Sequence, residues 1–326
     1  MKKAKSKASE VQEELKKQGY VLKMASEIKS GPKVKTGIFA FDYVIDGGIY
    51  QGEGGHRIEL YGRENSGKTT FMLYIIKKFQ ELSKKCVYVN GEQSYDVDWA
   101  EINGVDNDKL VIAEPDNLEQ AGDMLTDFIG KYDLICMDSI PAIVTREEQD
   151  GGLEDKHYAS QAKIYSPMMR KLYGATKSYA PVIVFINQLR EKIGIAYGNP
   201  YTTPGGRALK HFYNTRVEFK IGQMIREVPS DKSKKGDIIG MEVLLNCVKN
   251  KRGKPHRVIA LDFYLNGYVD NKKSLFFAGM KYGVIERKGN TYTFNTKSEI
   301  GQEKFLTSLD EKDIKELEDE IWKRIK

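Results

Sequence analysis

Gly62-Arg63-Glu64-Asn65-Ser66-Gly67-Lys68-Thr69 fits the spacing G-x-x-x-x-G-K-[ST]. Such a loop can wrap the phosphates of a nucleoside triphosphate. Gly62 and Gly67 let backbone N–H groups turn inward on phosphate oxygens, with Asn65 and Ser66 between them. Lys68 can then reach the β- and γ-phosphates, and the Thr69 hydroxyl can ligate Mg²⁺. A pattern this short needs context, because an ordinary glycine-rich turn can also satisfy it. Arg57 to Tyr61 reads as a strand, and Thr70 to Ile76 opens an apolar helix whose N-terminal dipole favours an anion. Strand, loop and helix therefore follow in the order the chemistry needs.

Two carboxylates have the right surroundings to complete such a site. Asp138 ends the apolar run Leu134-Ile135-Cys136-Met137 and precedes Ser139. A carboxylate at the end of a neighbouring buried strand can hold the water shell of a Mg²⁺ ion. Glu92 follows the strand-like Val87-Tyr88-Val89-Asn90-Gly91, where it could orient and deprotonate an attacking water.

The stretch from Val182 to Phe212 carries a different chemistry. The strand Val182 to Ile186 runs into Asn187-Gln188, and a long glycine-rich loop extends from Arg190 to Arg207. Its Arg190, Lys192, Thr202, Thr203 and Arg207 side chains suit phosphodiester contacts, as do the exposed backbone N–H groups of Gly198, Asn199, Gly205 and Gly206. Tyr197 could enter between bases. On composition alone, a mobile surface loop explains the same residues.

The elements that must position these groups alternate along the chain. Strand candidates at Ile58–Leu60, Cys86–Val89, Leu110–Ala113, Leu134–Met137 and Val182–Ile186 are separated by helical stretches such as Leu118–Ile129 and Gln161–Lys177. That pattern predicts an α/β fold with a mostly parallel central sheet covered by helices. Arg216–Ile221, Met241–Lys249 and Arg257–Tyr264 follow without long helices between them, and read as an antiparallel or mixed extension. Residues 1–35 form a small N-terminal arm. Ser9-x-x-Gln12 suggests a capping box, a helix runs to Gly19, and Tyr20-Val21-Leu22 suggests a short strand. Such an arm must dock on its own domain or on a neighbouring subunit. Residues 271–326 read as a C-terminal α/β subdomain. It has a helix near Leu275–Tyr282, a hairpin at Gly289-Asn290, and a last helix with Ile314, Leu317, Ile321 and Ile325 on one face.

Composition sets the limits. The chain has 326 residues, 40% hydrophobic and 30% charged, with a net charge of +6. Mild basicity permits a nucleic-acid partner without establishing one. Cys86, Cys136 and Cys247 form no C-x-x-C pair, and the four histidines have no metal-ligand spacing. Neither a signal peptide nor a membrane anchor is expected, and the location expected is the cytoplasm, with the DNA.

Four blocks in order resemble the RecA family of bacterial and phage recombinases. They are Tyr61-Gly62 with Ser66-Gly67-Lys68-Thr69-Thr70, Phe185-Ile186-Asn187-Gln188-Leu189-Arg190-x-Lys192-Ile193-Gly194, Gly198-Asn199-Pro200-x-Thr202-Thr203-x-Gly205-Gly206-x-Ala208-Leu209-Lys210, and Val248-Lys249-Asn250-Lys251. The likeness runs from roughly Val11 to the last helix. The middle two blocks are far more specific than any phosphate loop.

The resemblance implies a RecA-type ATPase core at 36–270, an N-terminal polymerisation arm, and a helical filament on single-stranded DNA with ATP between neighbouring subunits. It implies pairing with homologous double-stranded DNA and strand exchange. Lys68, Thr69 and Thr70 would hold phosphate and Mg²⁺, Asp138 would support the metal through water, and Glu92 would activate water. Trp99 falls where the family places an aromatic against adenine, though a buried structural Trp is the simpler reading. Gln188 would sense the γ-phosphate, and Lys249 and Lys251 would reach the partner's γ-phosphate in the manner of an arginine finger. A first DNA loop would span 150–158, with His157 and Tyr158 in it and Lys163 and Arg170 on the helix behind. Two departures stand out. His211 replaces an apolar interface residue, and the sequence ends Ile321-Trp322-Lys323-Arg324-Ile325-Lys326, where family chains often carry an acidic tail. Weaker Mg²⁺-dependent restraint of duplex binding is expected. Two rival roles share the ATPase: a ring-forming helicase motor of the same superfamily, which the Asn199-Pro200 block and the arm disfavour, and a DNA-binding mediator with weak ATPase, which the intact Lys68, Thr69, Glu92 and Asp138 disfavour.

Overall fold

The computed structural model describes residues 7–20, 22–24, 26, 31–151, 160–191, 201–228 and 235–325. The chain divides into two compact units, Met1–Pro32 and Lys33–Lys326. In the first, a helix spans Lys7–Lys17. It closes on Gly19, whose φ of 87° places it in the left-handed region. The Gly19 and Tyr20 N–H groups donate to the Lys16 and Leu15 carbonyls, which satisfies the helix end. Ser9, which the sequence pattern puts at the start of this helix, lies inside it. Gln12 donates to the Leu22 carbonyl at 3.1 Å. Neither Tyr20 nor Leu22 is in a strand, and Val21 lies outside the described residues. The Tyr20 N–H and the Leu22 carbonyl, which a strand would have needed, are bonded to Leu15 and Gln12.

The second unit is built on a nine-stranded sheet. Its strands are β1 (His56–Gly62), β2 (Cys86–Asn90), β3 (Leu110–Ala113), β4 (Leu134–Asp138), β5 (Val182–Gln188), β6 (Thr215–Arg226), β7 (Ile238–Asn250), β8 (Val258–Tyr264) and β9 (Val269–Asp270). The spatial order is β9-β8-β7-β6-β1-β5-β4-β2-β3. Strands β6, β1, β5, β4, β2 and β3 are parallel, and β7, β8 and β9 continue antiparallel. The mixed extension expected from the missing helices is present.

Side chains alternate between the two faces with the period of a strand. Tyr88, Cys136, Val184 and Leu60 join one core, which includes the apolar side of the helix Lys68–Glu81 and the C-terminal elements. Val87, Val89, Ile135, Met137, Ile183 and Phe185 join a second core on the other face, under the helices Leu118–Phe128, Ser160–Ala175 and Gly206–Phe212. Burial on both faces explains why these strands read as continuous apolar runs. The three cysteines are free and buried. Burial pushes the Cys86 and Cys247 thiols up to about 12 and raises Cys136 as well, so all three stay protonated and unreactive.

Beyond β9, the helix Asn271–Lys281 starts earlier than expected, because Asp270 caps it by accepting from the Lys272 N–H. Strands Glu286–Lys288, Thr291–Phe294 and Lys297–Ile300 form a small antiparallel sheet turning at Gly289-Asn290. In the last helix, Glu311–Arg324, Leu317 and Ile321 are fully buried, Ile314 is half-buried, and Ile325 follows at the cap.

Candidate functional site

Parallel strands end on a common edge, and that edge collects the groups singled out above. Gly62 at the end of β1 pairs with Gln188 at the end of β5, and Asn90 of β2 pairs with Asp138 of β4. In open α/β sheets ligands bind at this carboxyl edge.

The phosphate loop leaves β1 at Gly62, where a Cβ would lie 2.4 Å from the Phe219 carbonyl oxygen and 2.9 Å from Ser66 Oγ. Only glycine lets β6 and the loop approach so closely. Gly67 has a φ of 82° and stands at the helix start that Lys68 begins. Lys68 folds back across the loop, and its Nζ donates to the Arg63 carbonyl at 2.7 Å. Ser66 Oγ donates to the same oxygen at 2.8 Å. Burial pulls the Lys68 ammonium below its ordinary value, against the attraction of Asp138, Glu92 and Glu64. A buried cation on a neutral carbonyl is poised to exchange it for an anion.

Beside it, Thr69 Oγ1 donates to Asp138 Oδ2 at 2.7 Å and the Tyr88 hydroxyl donates to the same oxygen at 3.1 Å. Burial raises Asp138 to about 6, partly offset by the Thr69 bond and reinforced by Glu92. The Gly91 and Glu92 N–H groups both donate to the Asp138 carbonyl, at 2.7 and 3.1 Å, and the Asp138–Ser139 peptide bond is cis. Glu92 Oε1 accepts from Ser139 Oγ and, at 3.1 Å, from Gln188 Nε2. Residues 69, 92, 138 and 188 thus form one connected cluster. Trp99 is half-buried against the core and its Nε1 donates to Thr70 Oγ1 at 3.2 Å.

The loop after β5 starts and ends on a ribbon in which Arg190 pairs with Thr202 and Glu191 with Tyr201. Lys210 Nζ donates to Thr202 Oγ1 at 2.8 Å. Arg190 and Arg207 are exposed, whereas Thr203 is buried and accepts from Arg216 Nη2 at 3.2 Å. Gly205 and Gly206, with φ of 87° and 64°, lead into the helix Gly206–Phe212. Lys163 and Arg170 are exposed on the helix Ser160–Ala175. His157, Tyr158, Lys192, Tyr197, Gly198 and Asn199 lie outside the described residues.

Lys249 and Lys251 are set apart from this cluster. Lys249 pairs with Arg216, which pairs with Glu59 of β1, three residues before Gly62. Lys249 Nζ donates to the Lys210 carbonyl and, at 3.3 Å, to that of His211. The Lys251 N–H donates to the Asn214 carbonyl at 2.8 Å. Both lysines therefore lie towards the opposite edge of the sheet from the phosphate loop of their own chain.

A buried network without an assigned role in the sequence ties these parts together. Glu59 is fully buried and pairs with Arg216 Nε, while Asn187 Nδ2 donates to Glu59 Oε1 at 2.9 Å. Burial raises the Glu59 carboxyl, and Arg216 and Asn187 counter it. Tyr88 and Ser139 were also missed as partners of the carboxylates. Tyr88 carried a signal, since strand alternation puts it on the face opposite Val87 and Val89.

The family model described as the RecA N-terminal domain matches residues 3–269. Three bacterial relatives, each named Protein RecA, align over most of the chain. That of Petrotoga mobilis is 36% identical over 80% of this chain and 69% of its own. That of Wolbachia sp. subsp. Drosophila simulans is 34% identical, covering 94% and 85%. That of Staphylococcus aureus is 31% identical, covering 94% and 87%.

Proposed function

Because this chain belongs to the RecA family, we propose that the cluster at the carboxyl edge of its sheet is the ATP site through which DNA binding is controlled. The protein is a recombinase and a DNA-dependent ATPase that promotes homologous pairing and strand exchange. The observation that carries the site assignment is the connection of Thr69, Asp138, Glu92 and Gln188 by hydrogen bonds beside the buried Lys68, with Gln188 opening directly into the loop 190–207.

ATP and Mg²⁺ fit these residues. The loop offers its N–H groups and a lysine whose Nζ donates to loop oxygens, Ser66 Oγ at 3.4 Å among them. Among the described residues no three His, Cys, Asp or Glu gather to hold a metal by themselves, so a cation here would share Thr69 and Asp138 with phosphate oxygens. Bound ATP supplies the phosphoryl group to be transferred to water. Lys68 would neutralise phosphate charge, Thr69 and Asp138 would hold the Mg²⁺, Asp138 through water, and Glu92 would accept the proton of the attacking water. Trp99, beside Thr70, would pack on the base. Lys249 and Lys251, remote from their own chain's phosphate loop, act on a neighbour's, so each ATP site is completed only in the filament.

DNA partners are held by Lys163, Arg170, Arg190, Thr202, Gly205, Gly206 and Arg207, chiefly through the backbone, which makes binding salt-sensitive and largely sequence-independent. His157, Tyr158, Lys192, Tyr197, Gly198 and Asn199 belong to the same assignment. Thr203, buried under Arg216, anchors the loop and offers its backbone. The division into an arm at 1–35, a core at 36–270 and a lobe at 271–326 completes the proposal. Among the described residues no helix is long and apolar enough to cross a membrane.

The test is ATP turnover with and without single-stranded DNA, together with joint-molecule formation. Turnover is expected to need DNA and to vanish in Lys68→Ala, and turnover indifferent to DNA would contradict the reading. Gln188→Ala should bind nucleotide normally and lose about fivefold or more of the ATP-induced gain in DNA affinity. Equal gains in variant and parent, read by fluorescence anisotropy, would remove Gln188 from its sensor role.

A further inference from the structure

One contact joins the phosphate loop to the DNA loop without passing through Gln188. Arg63 Nη2 donates to the Tyr201 hydroxyl at 2.7 Å, and the guanidinium carbon lies 5.3 Å from the centre of the Tyr201 ring. Arg63 is exposed and Tyr201 half-buried. Together they line a cleft of about 510 Å³ with Leu189, Phe219 and Ile221, so the pair has room to rearrange.

The same residue meets the phosphate machinery through its main chain. The Arg63 carbonyl is the acceptor of both Lys68 Nζ and Ser66 Oγ. A phosphate oxygen is a stronger partner for an ammonium than a neutral carbonyl. When Lys68 turns to phosphate, the Arg63 carbonyl keeps only the Ser66 bond of the two, and the backbone carrying the guanidinium is held less firmly. Tyr201 receives the shift at the base of the DNA loop, where it pairs with Glu191 beside Arg190 and Thr202. We infer that Arg63 and Tyr201 form a coupling latch that reports the occupancy of the phosphate loop to the DNA-binding loop. This inference rests on the reading of residues 62–69 as the triphosphate site and 190–207 as a DNA loop. Coupling is reciprocal, so DNA held on that loop acts back on the phosphate loop through the same pair. Arg63 and Tyr201 are positioning residues here. They act through Lys68 and through the loop, and the latch adds to the Gln188 path.

The experiment measures the affinity of an oligo-dT strand for the full chain, with and without a non-hydrolysable ATP analogue. The readout is the ratio of the two dissociation constants. A merely structural loss of DNA contacts weakens both and leaves the ratio unchanged. Tyr201→Phe, which deletes one oxygen, and Arg63→Ala, which keeps the carbonyl, should each lower the ratio by about fivefold. The double variant should fall no further than Arg63→Ala alone, because the hydrogen bond that Tyr201→Phe deletes is already lost with the guanidinium. Ratios equal to the parent's, or losses that multiply in the double variant, would overturn the latch. A parent protein with no nucleotide-dependent DNA affinity would overturn the functional reading and the latch with it. A parent that has the dependence while the variants match it overturns the latch alone.

Discussion

Glu92→Gln should cut single-strand-stimulated ATP turnover by about 10²- to 10⁴-fold, the usual worth of a positioned general base, while ATP-dependent DNA binding persists. The change is nearly isosteric. A glutamine carbonyl can still accept from Ser139 Oγ and Gln188 Nε2, which both bond to Oε1 of the native side chain. The link from the γ-phosphate position to the DNA loop therefore survives, and only the proton acceptor is lost. With product formation blocked, complexes on single-stranded DNA should dissociate more slowly than those of the parent when ATP is supplied. Turnover within threefold or so of the parent would move the base elsewhere, and a variant that no longer binds DNA would show that Glu92 serves the switch more than the chemistry.

Lys249→Ala should lower turnover by about 10³-fold or more, the scale of a charge-neutralising finger, with nucleotide binding to the DNA-free protein intact. The geometry makes a sharper claim, because Lys249 and the phosphate loop lie towards opposite edges of one sheet. The lysine and Glu92 of one working site are then expected to come from different subunits. Two inactive proteins, Lys249→Ala and Glu92→Gln, should therefore regain turnover when mixed. Random mixing of equal amounts leaves about a quarter of the seams with both native residues. A mixture as dead as its parts would place both groups on the same subunit or outside the reaction.

The same lysine predicts a pH dependence. Partial burial, with Lys251 and Arg216 nearby, pushes Lys249 down to about 8. Glu59 opposes that shift, and Arg57 adds to it more weakly. The cation is present below that value and is lost as pH rises through it. On the free protein, kcat/KM for ATP should fall through a midpoint near 8, since that ratio reports groups of the free enzyme. Lys249→Arg keeps its charge at any such pH, so whatever activity it retains should show no descent in that range. A parent profile flat to pH 9.5 or so would dissociate the lysine from turnover.

Much of this was legible along the chain. The spacing of Gly62, Gly67, Lys68 and Thr69 is a local constraint, and so is the strand before it and the helix after it. Asp138 and Glu92 were recognisable because a charge that ends a continuous apolar run must sit at the rim of a buried sheet. The mixed extension followed from the absence of helices after Arg216. The pattern at Ser9 reads as the start of a helix, whereas the described helix, Lys7–Lys17, already contains that residue.

Sequence by itself therefore determined the parallel core, the phosphate loop and the types of residue available at its edge, because each depends on near neighbours and on the two-residue period of strands. Tertiary structure alone decided which of those residues meet. The strand order β9-β8-β7-β6-β1-β5-β4-β2-β3 is not the order of the chain. It brings Gln188 to Glu92, Arg216 to Glu59 and Tyr201 to Arg63, and it carries Lys249 away from its own chain's phosphate loop. Cross-strand register and the need of buried charges for partners make those choices, and neither is written in the spacing of residues along one segment.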